Sequence, residues 1–78
     1  MYGDTSKDEL FDQQKKALGQ NIKKRRKHLS LSQEELGLRL GADQAYVSRL
    51  EAGLLNPTFE SLVEVAISLG VTVSTLTS

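Results

Sequence analysis

Two side chains five residues apart, Gln44 and Arg49, carry hydrogen-bonding groups suited to reading the edges of bases. A primary amide donates and accepts side by side, which matches adenine N6 and N7, and a guanidinium offers parallel donors that match guanine O6 and N7. Ala45 can pack on a thymine methyl, and Ser48 adds a hydroxyl that suits several base edges. Other chemistries have little to draw on. The chain has no cysteine and His28 is its single histidine, so zinc sites and Ser-His or Cys-His catalytic pairs lack their ligands and bases. No paired carboxylates or Gly-rich phosphate loop can be assembled either, and 78 residues leave no room for a deep substrate cavity. The expectation is a protein without enzymatic activity, metal, cofactor or small-molecule substrate.

Gln44 and Arg49 must be held on a helix. At about 100° per residue, Val47 and Leu50 fall on one side of a helix capped by Asp43, while Ala45, Ser48 and Arg49 project from the other. Gln44 lies in its first turn. Upstream, Ser32 and Glu35 have the spacing of a capping box; they open a helix that turns Leu36 and Leu40 inward and stops at Gly41. Two helices crossing at a steep angle need a small residue where their backbones approach, which Gly37 supplies, and Gly41 tolerates the positive φ of the turn. In such a helix-turn-helix the second helix lies in the major groove and the first braces it across the phosphates. Ser32 and Gln33, at the start of the first helix, can meet a phosphate together with the free backbone N–H groups there. Tyr46 can donate to a phosphate or support the helix from a half-buried position. In the loop that follows, the backbone donors of Gly53 and Asn56 are further phosphate contacts.

The remaining elements complete a bundle. Ser6 and Glu9 form another capping-box pair, and Phe11, Leu18, Ile22 and Leu29 keep to one face of a helix over residues 7 to 28. Residues 1 to 14 are read as an N-terminal extension, helical or frayed, ahead of a domain covering 15 to 78. Thr58 caps a fourth helix from 59 to 69 with Gly70 beyond it, and a last turn runs around 75 to 78. With no strand pattern, the fold is an all-α bundle of five helices. In the fourth helix Phe59, Leu62, Ala66 and Leu69 can fill the core, which leaves Val63, Val65 and Ile67 in surplus. Surplus apolar surface calls for a partner, so Leu54, Leu55, Val63, Ile67, Val73 and Leu76 are the predicted homodimer interface.

Ten basic and ten acidic residues cancel. Their distribution does not: Lys15, Lys16, Lys23, Lys24, Arg25, Arg26 and Lys27 form a run without an acid, behind the cluster Asp4, Asp8, Glu9 and Asp12. A basic stretch directly before the two-helix motif suits a polyanionic partner. The polar, acidic N-terminus is unlike a secretory signal, and no apolar run reaches bilayer length, so a cytoplasmic location is expected.

From Leu18 to Leu76 the chain resembles the lambda/434-repressor-like helix-turn-helix domain, the XRE family of bacterial and phage regulators. The resemblance rests on Leu18-Gly19-x-x-Ile22, Arg26, Leu31-Ser32-Gln33-Glu34-Glu35-Leu36, Tyr46-Val47-Ser48-Arg49-Leu50-Glu51-x-Gly53, Asn56-Pro57-Thr58 and Leu69-Gly70-Val71. The Tyr-Val-Ser-Arg-Leu-Glu run is also similar to restriction-modification controller proteins. What the family implies is a dimer that binds a double-stranded DNA operator and sets transcription, as a repressor or autoregulator. It also implies phosphate contact at Gln33 and a structural ion pair between Arg26 and Glu51. Where relatives carry polar or basic residues this chain has Ala52, Leu54 and Leu55, which implies fewer phosphate contacts and a shallower salt dependence. The alternative function is a protein-interaction module, such as an antitoxin or a coactivator bridge.

Overall fold

The computed structural model describes residues 6–78; the expectations for Asp4 and the rest of residues 1–5 lie outside the described residues. Five helices follow in order, α1 (Lys7–His28), α2 (Gln33–Arg39), α3 (Gln44–Glu51), α4 (Phe59–Leu69) and α5 (Val73–Thr77), and no strand occurs among the described residues. Each begins at a short polar residue in extended conformation whose side-chain oxygen accepts the N–H three residues on: Ser6, Ser32, Asp43, Thr58 and Thr72. At α2 the box is reciprocal, because the Glu35 carboxylate also accepts the Ser32 N–H at 2.9 Å. Residues 7 to 14 belong to α1, which runs unbroken from Lys7.

The first four helices also end alike. Each is followed by one residue in the left-handed region, Ser30, Gly41, Gly53 or Gly70. The next N–H then folds back onto the last helical turn: Leu31 to Arg26, Ala42 to Gly37, Leu54 to Arg49 and Val71 to Ala66, at 2.8 to 3.1 Å. This closure satisfies carbonyls that the helix end would leave free. Ser30 is the position where the sequence offers no glycine for it.

Ile22, Leu31, Leu36, Val47, Leu50, Val65, Ala66, Leu69 and Leu76 make one core, with Leu18, Leu40, Tyr46, Leu55, Val71 and Val73 packed around it. Several apolar expectations are corrected here. Phe11 and Leu29 share the helical face of Ile22 but are exposed, since the buried positions of α1 run from Gly19 to Arg26 and these two lie beyond them on either side. On α4 the buried residues are Val65, Ala66 and Leu69, with the half-buried Leu62 completing the i, i+3, i+4, i+7 pattern of a single face. Val65, expected to be surplus, is therefore core, and Phe59, expected in the core, is 71% exposed at the first turn. Leu76, assigned to the dimer interface, is 1% exposed because α5 drives it into the core beneath α1 and α4, so it cannot lie on an outer surface. Val73 is half-buried against the same core.

Candidate nucleic-acid interface

The path from the core to the surface of α3 is polar. Arg26 of α1 donates from Nε to Glu51 Oε2 at 2.6 Å and from Nη2 to Oε1 at 3.0 Å, a bidentate pair with both side chains almost wholly buried. Its third donor, Nη1, goes to the Leu31 carbonyl at 2.7 Å, so the arginine ties the end of α1 to the end of α3. Hydrogen bonding to Glu51, reinforced by its charge, raises the Arg26 pKa above its ordinary value against the opposing effect of burial. Each of the three guanidinium nitrogens has a partner. No buried side-chain polar atom among the described residues lacks a partner.

Glu51 carries the linkage outward. Its Oε1 also accepts from Gln33 Nε2 at 3.1 Å, and Gln33 Oε1 in turn accepts from Gln44 Nε2 at 2.7 Å. Gln44, exposed in the first turn of α3, is thus held through Gln33 by a buried ion pair. One Gln44 N–H and its Oε1 remain available, which is the donor–acceptor pair an adenine edge needs. Arg49 is exposed on the next turn and Ala45 lies beside Gln44, while Ser48 is half-buried. No hydrogen bond engages the Arg49 guanidinium among the described residues.

Close backbone approach fixes α3 from two sides. A Cβ on Gly37 would stand 2.7 Å from the Asp43 carbonyl carbon and oxygen, so only glycine lets α2 meet the start of α3. A Cβ on Gly19 would be driven into the Glu51 carbonyl oxygen at the other end of α3. Spacing within the two-helix motif points to Gly37. Gly19 escapes such reasoning because its neighbour is 32 positions away. The Glu51–Gln33 and Gln33–Gln44 bonds escaped it as well; Gln and Glu at helix ends carry no spacing signal for a contact across two helices.

The phosphate-contact residues divide. Gln33 and Asn56 reach the surface, Ser32 is exposed with its hydroxyl capping α2, and Tyr46 is half-buried with its ring against the core. Gly53 is buried, and its N–H donates to Leu50 at 3.2 Å, because the end of α3 uses that amide for its own closure. It has no donor left for a phosphate. Of the basic run, Arg25 donates to the Leu69 carbonyl at 3.0 Å and Lys15 pairs with Asp12 at 3.5 Å. Lys16, Lys23, Lys24 and Lys27 remain exposed. A cleft of about 570 Å³ lies between α1 and the start of α4, bordered by Phe11, Asp12, Leu18, Pro57 and Leu62. No group of histidine, cysteine or acidic side chains able to hold a metal occurs among the described residues, and no helix is long and apolar enough to cross a membrane.

Two short helices clamped at a fixed angle, with one exposed polar face and a buried ion pair behind it, define a helix-turn-helix DNA-binding domain. Comparison with known proteins gives the same class. A helix-turn-helix family model matches residues 22–76, and the chain belongs to that family, the XRE-type, lambda-repressor-like DNA-binding transcription regulators. The HTH-type transcriptional regulator y4dJ of Sinorhizobium fredii is 44% identical over 57 residues, covering 73% of this chain and 74% of that protein. Among solved structures, the hypothetical transcription factor NHTF from Neisseria superposes with a TM-score of 0.79 at 31% identity, over 83% of this chain and 75% of that one. The restriction-modification controller protein C.AhdI from Aeromonas hydrophila gives 0.74 at 30% identity, over 78% and 92%. Hydroxypropylphosphonic acid epoxidase from S. wedmorenis reaches 0.82 at 24% identity, which shows a shared fold alone; the chain spans 36% of that enzyme's length.

Proposed function

We propose that this DNA-binding regulator recognises one operator sequence as a homodimer and acts there as a repressor or autoregulator, in the cytoplasm and without enzymatic activity. The observation that carries the reading is the Glu51–Gln33–Gln44 chain of hydrogen bonds, which fixes one edge of the Gln44 amide and leaves the other open for a base. Gln44 and Arg49 are the base-reading pair, with Ala45 and Ser48 beside them. Gln33, Ser32 and Asn56 are the phosphate contacts of this reading, and Tyr46 supports α3 from within. Similarity to a restriction-modification controller protein supports a role in setting transcription. In a fluorescence-anisotropy titration against the protein's own upstream DNA, Gln44→Ala and Arg49→Ala are each expected to cost roughly 1 to 3 kcal/mol of specific binding. Parental affinity in both variants would remove the readout from these residues. The exposed Leu54 favours a second reading, a protein-interaction module such as an antitoxin or coactivator bridge. A stoichiometric protein partner together with no DNA affinity at low salt would establish it instead.

A further inference from the structure

The cleft beside α1 is built in large part by residues that the family model does not reach. Its α1 wall runs from Asp8 to Asn21, entirely upstream of residue 22, where the match to the helix-turn-helix family begins. The opposite wall is Asn56, Pro57 and Leu62, from the α3–α4 loop and the first turn of α4. Leu18, Pro57 and Leu62 are half-buried there, and Phe11, 56% exposed, borders the cleft from the second turn of α1. The buried positions of α1 begin only at Gly19, about three turns after Lys7. A helical stretch of that length gains little stability in water by itself, so core packing does not account for this wall.

Size and charge define what fits. The volume of about 570 Å³ is that of a small-molecule site, about 300 to 1,000 Å³, and the dozen residues around it fall short of the roughly 20 to 30 a side of a protein interface. Asp8 and Asp12 stand one turn apart on the lining face of α1, where like charges repel. Lys15 pairs with Asp12 at 3.5 Å, and Asp8 has no ion pair among the described residues. The groups that could hold an anion are partly engaged: Lys15 by Asp12, and Asn21 Nδ2 by the Leu76 and Ser78 carbonyls at 2.8 and 3.3 Å. A cation finds a free carboxylate at one end of an apolar floor. We infer that the cleft binds a small organic cation, an aromatic or branched apolar body bearing a primary ammonium, with the body on Phe11, Leu18, Pro57 and Leu62 and the ammonium at Asp8 and Asp12.

The site touches the DNA face at one residue. Asn56 belongs both to the cleft wall and to the phosphate contacts proposed above, so a ligand that takes its amide withdraws it from DNA. Occupancy then lowers operator affinity severalfold, and DNA lowers the affinity for the ligand by the same factor. That consequence rests on the operator-binding reading; binding in the cleft is measurable without DNA.

Phenethylamine is the probe, with 2-phenylethanol and 3-phenylpropionate as its neutral and anionic counterparts. In amide NMR spectra of the full chain, phenethylamine should shift Phe11, Leu18 and Leu62 saturably, with a dissociation constant in the millimolar range. The alcohol should bind roughly threefold more weakly, the share of one exposed ion pair, and the carboxylate more weakly still. Asp8→Asn should bring phenethylamine down to the level of the alcohol and leave the alcohol itself unchanged, whereas Phe11→Ala should weaken both. Asp8 and Phe11 are exposed, so circular dichroism should stay parental in both variants. No saturable shift at these amides, equal affinity for the three probes, or parental phenethylamine binding in Asp8→Asn would overturn the proposal. Movement of the same amides on raising protein concentration alone would assign the cleft to a second copy and overturn it too. DNA titrations separate the claims: saturating phenethylamine should lower operator affinity severalfold in the parental protein and leave it unchanged in Phe11→Ala. Amine binding with unaltered operator affinity would remove the coupling, and a protein that binds the amine but no DNA would defeat only the operator reading.

Discussion

The α2–α3 pair and α4 are built from the same capping devices and differ in what lies behind their outer faces. At α2–α3 the backbones meet at Gly37, α1 presses on the end of α3 at Gly19, and Arg26, Glu51, Gln33 and Gln44 are joined by successive hydrogen bonds. At α4 Val65, Ala66 and Leu69 are buried, while in the neighbouring row Phe59 and Ile67 are exposed and Val63 is half-buried. Rigidity is concentrated where side chains must be presented in one orientation, since a readout group that can swing loses the entropy of being fixed on binding. Exposed apolar area is left on α4, where no such linkage lies behind the outer face.

The largest expected effect lies in the clamp. Arg26→Met strands the Glu51 carboxylate in the interior and should cost about 3 to 5 kcal/mol of stability, read by urea denaturation. Adding Glu51→Met should recover part of the loss, because the unpaired charge is then gone; a fully additive double variant would contradict the pairing energetics. On α4 the two rows should separate sharply. Leu69→Ala opens a cavity in the core and should cost about 2 to 5 kcal/mol, whereas Phe59→Ala in the monomer should stay within about 0.5 kcal/mol of the parent. Gly37→Ala comes between them, at about 1 to 3 kcal/mol, as α2 is pushed off the start of α3.

The smallest effect is a pH dependence at α2. Hydrogen bonds from the Ser32 backbone N–H and from its side chain hold the Glu35 carboxyl below its ordinary value, with a smaller contribution from Arg39. A depressed folded-state pKa means that the cap's contribution is complete above the ordinary glutamate range and is lost as pH falls through the depressed value. The Ser32 amide proton resonance should follow that titration, and Glu35→Gln should flatten it. A Ser32 shift that titrates at or above the ordinary glutamate value would show that the box does not hold the carboxylate.

Much of the site was legible because its logic is local. Gln44, Ala45 and Arg49 fall on the outer face of α3 for the same reason that Val47 and Leu50 fall inward, the periodicity of one short helix. Gly53 was misread for an equally physical reason: its left-handed φ of 76° is the end of α3 closing on itself, which consumes the N–H that a phosphate would have used. The basic run of α1 thinned in the same way once Arg25 and Arg26 were drawn to the Leu69 and Leu31 carbonyls.

Residues within five positions of one another determined where every helix starts and where the first four stop, since a cap oxygen and the bond closed by a left-handed residue reach little farther than one turn. Which apolar residues of α4 face inward was a tertiary decision. Phe59 and Val65 are both apolar, and only the packing of α1 and α5 against α4 buries one and leaves the other in water. The linkage from Arg26 through Glu51 and Gln33 to Gln44 is tertiary as well: it joins three helices, and the geometry of a hydrogen bond between distant positions exists only after those helices have packed.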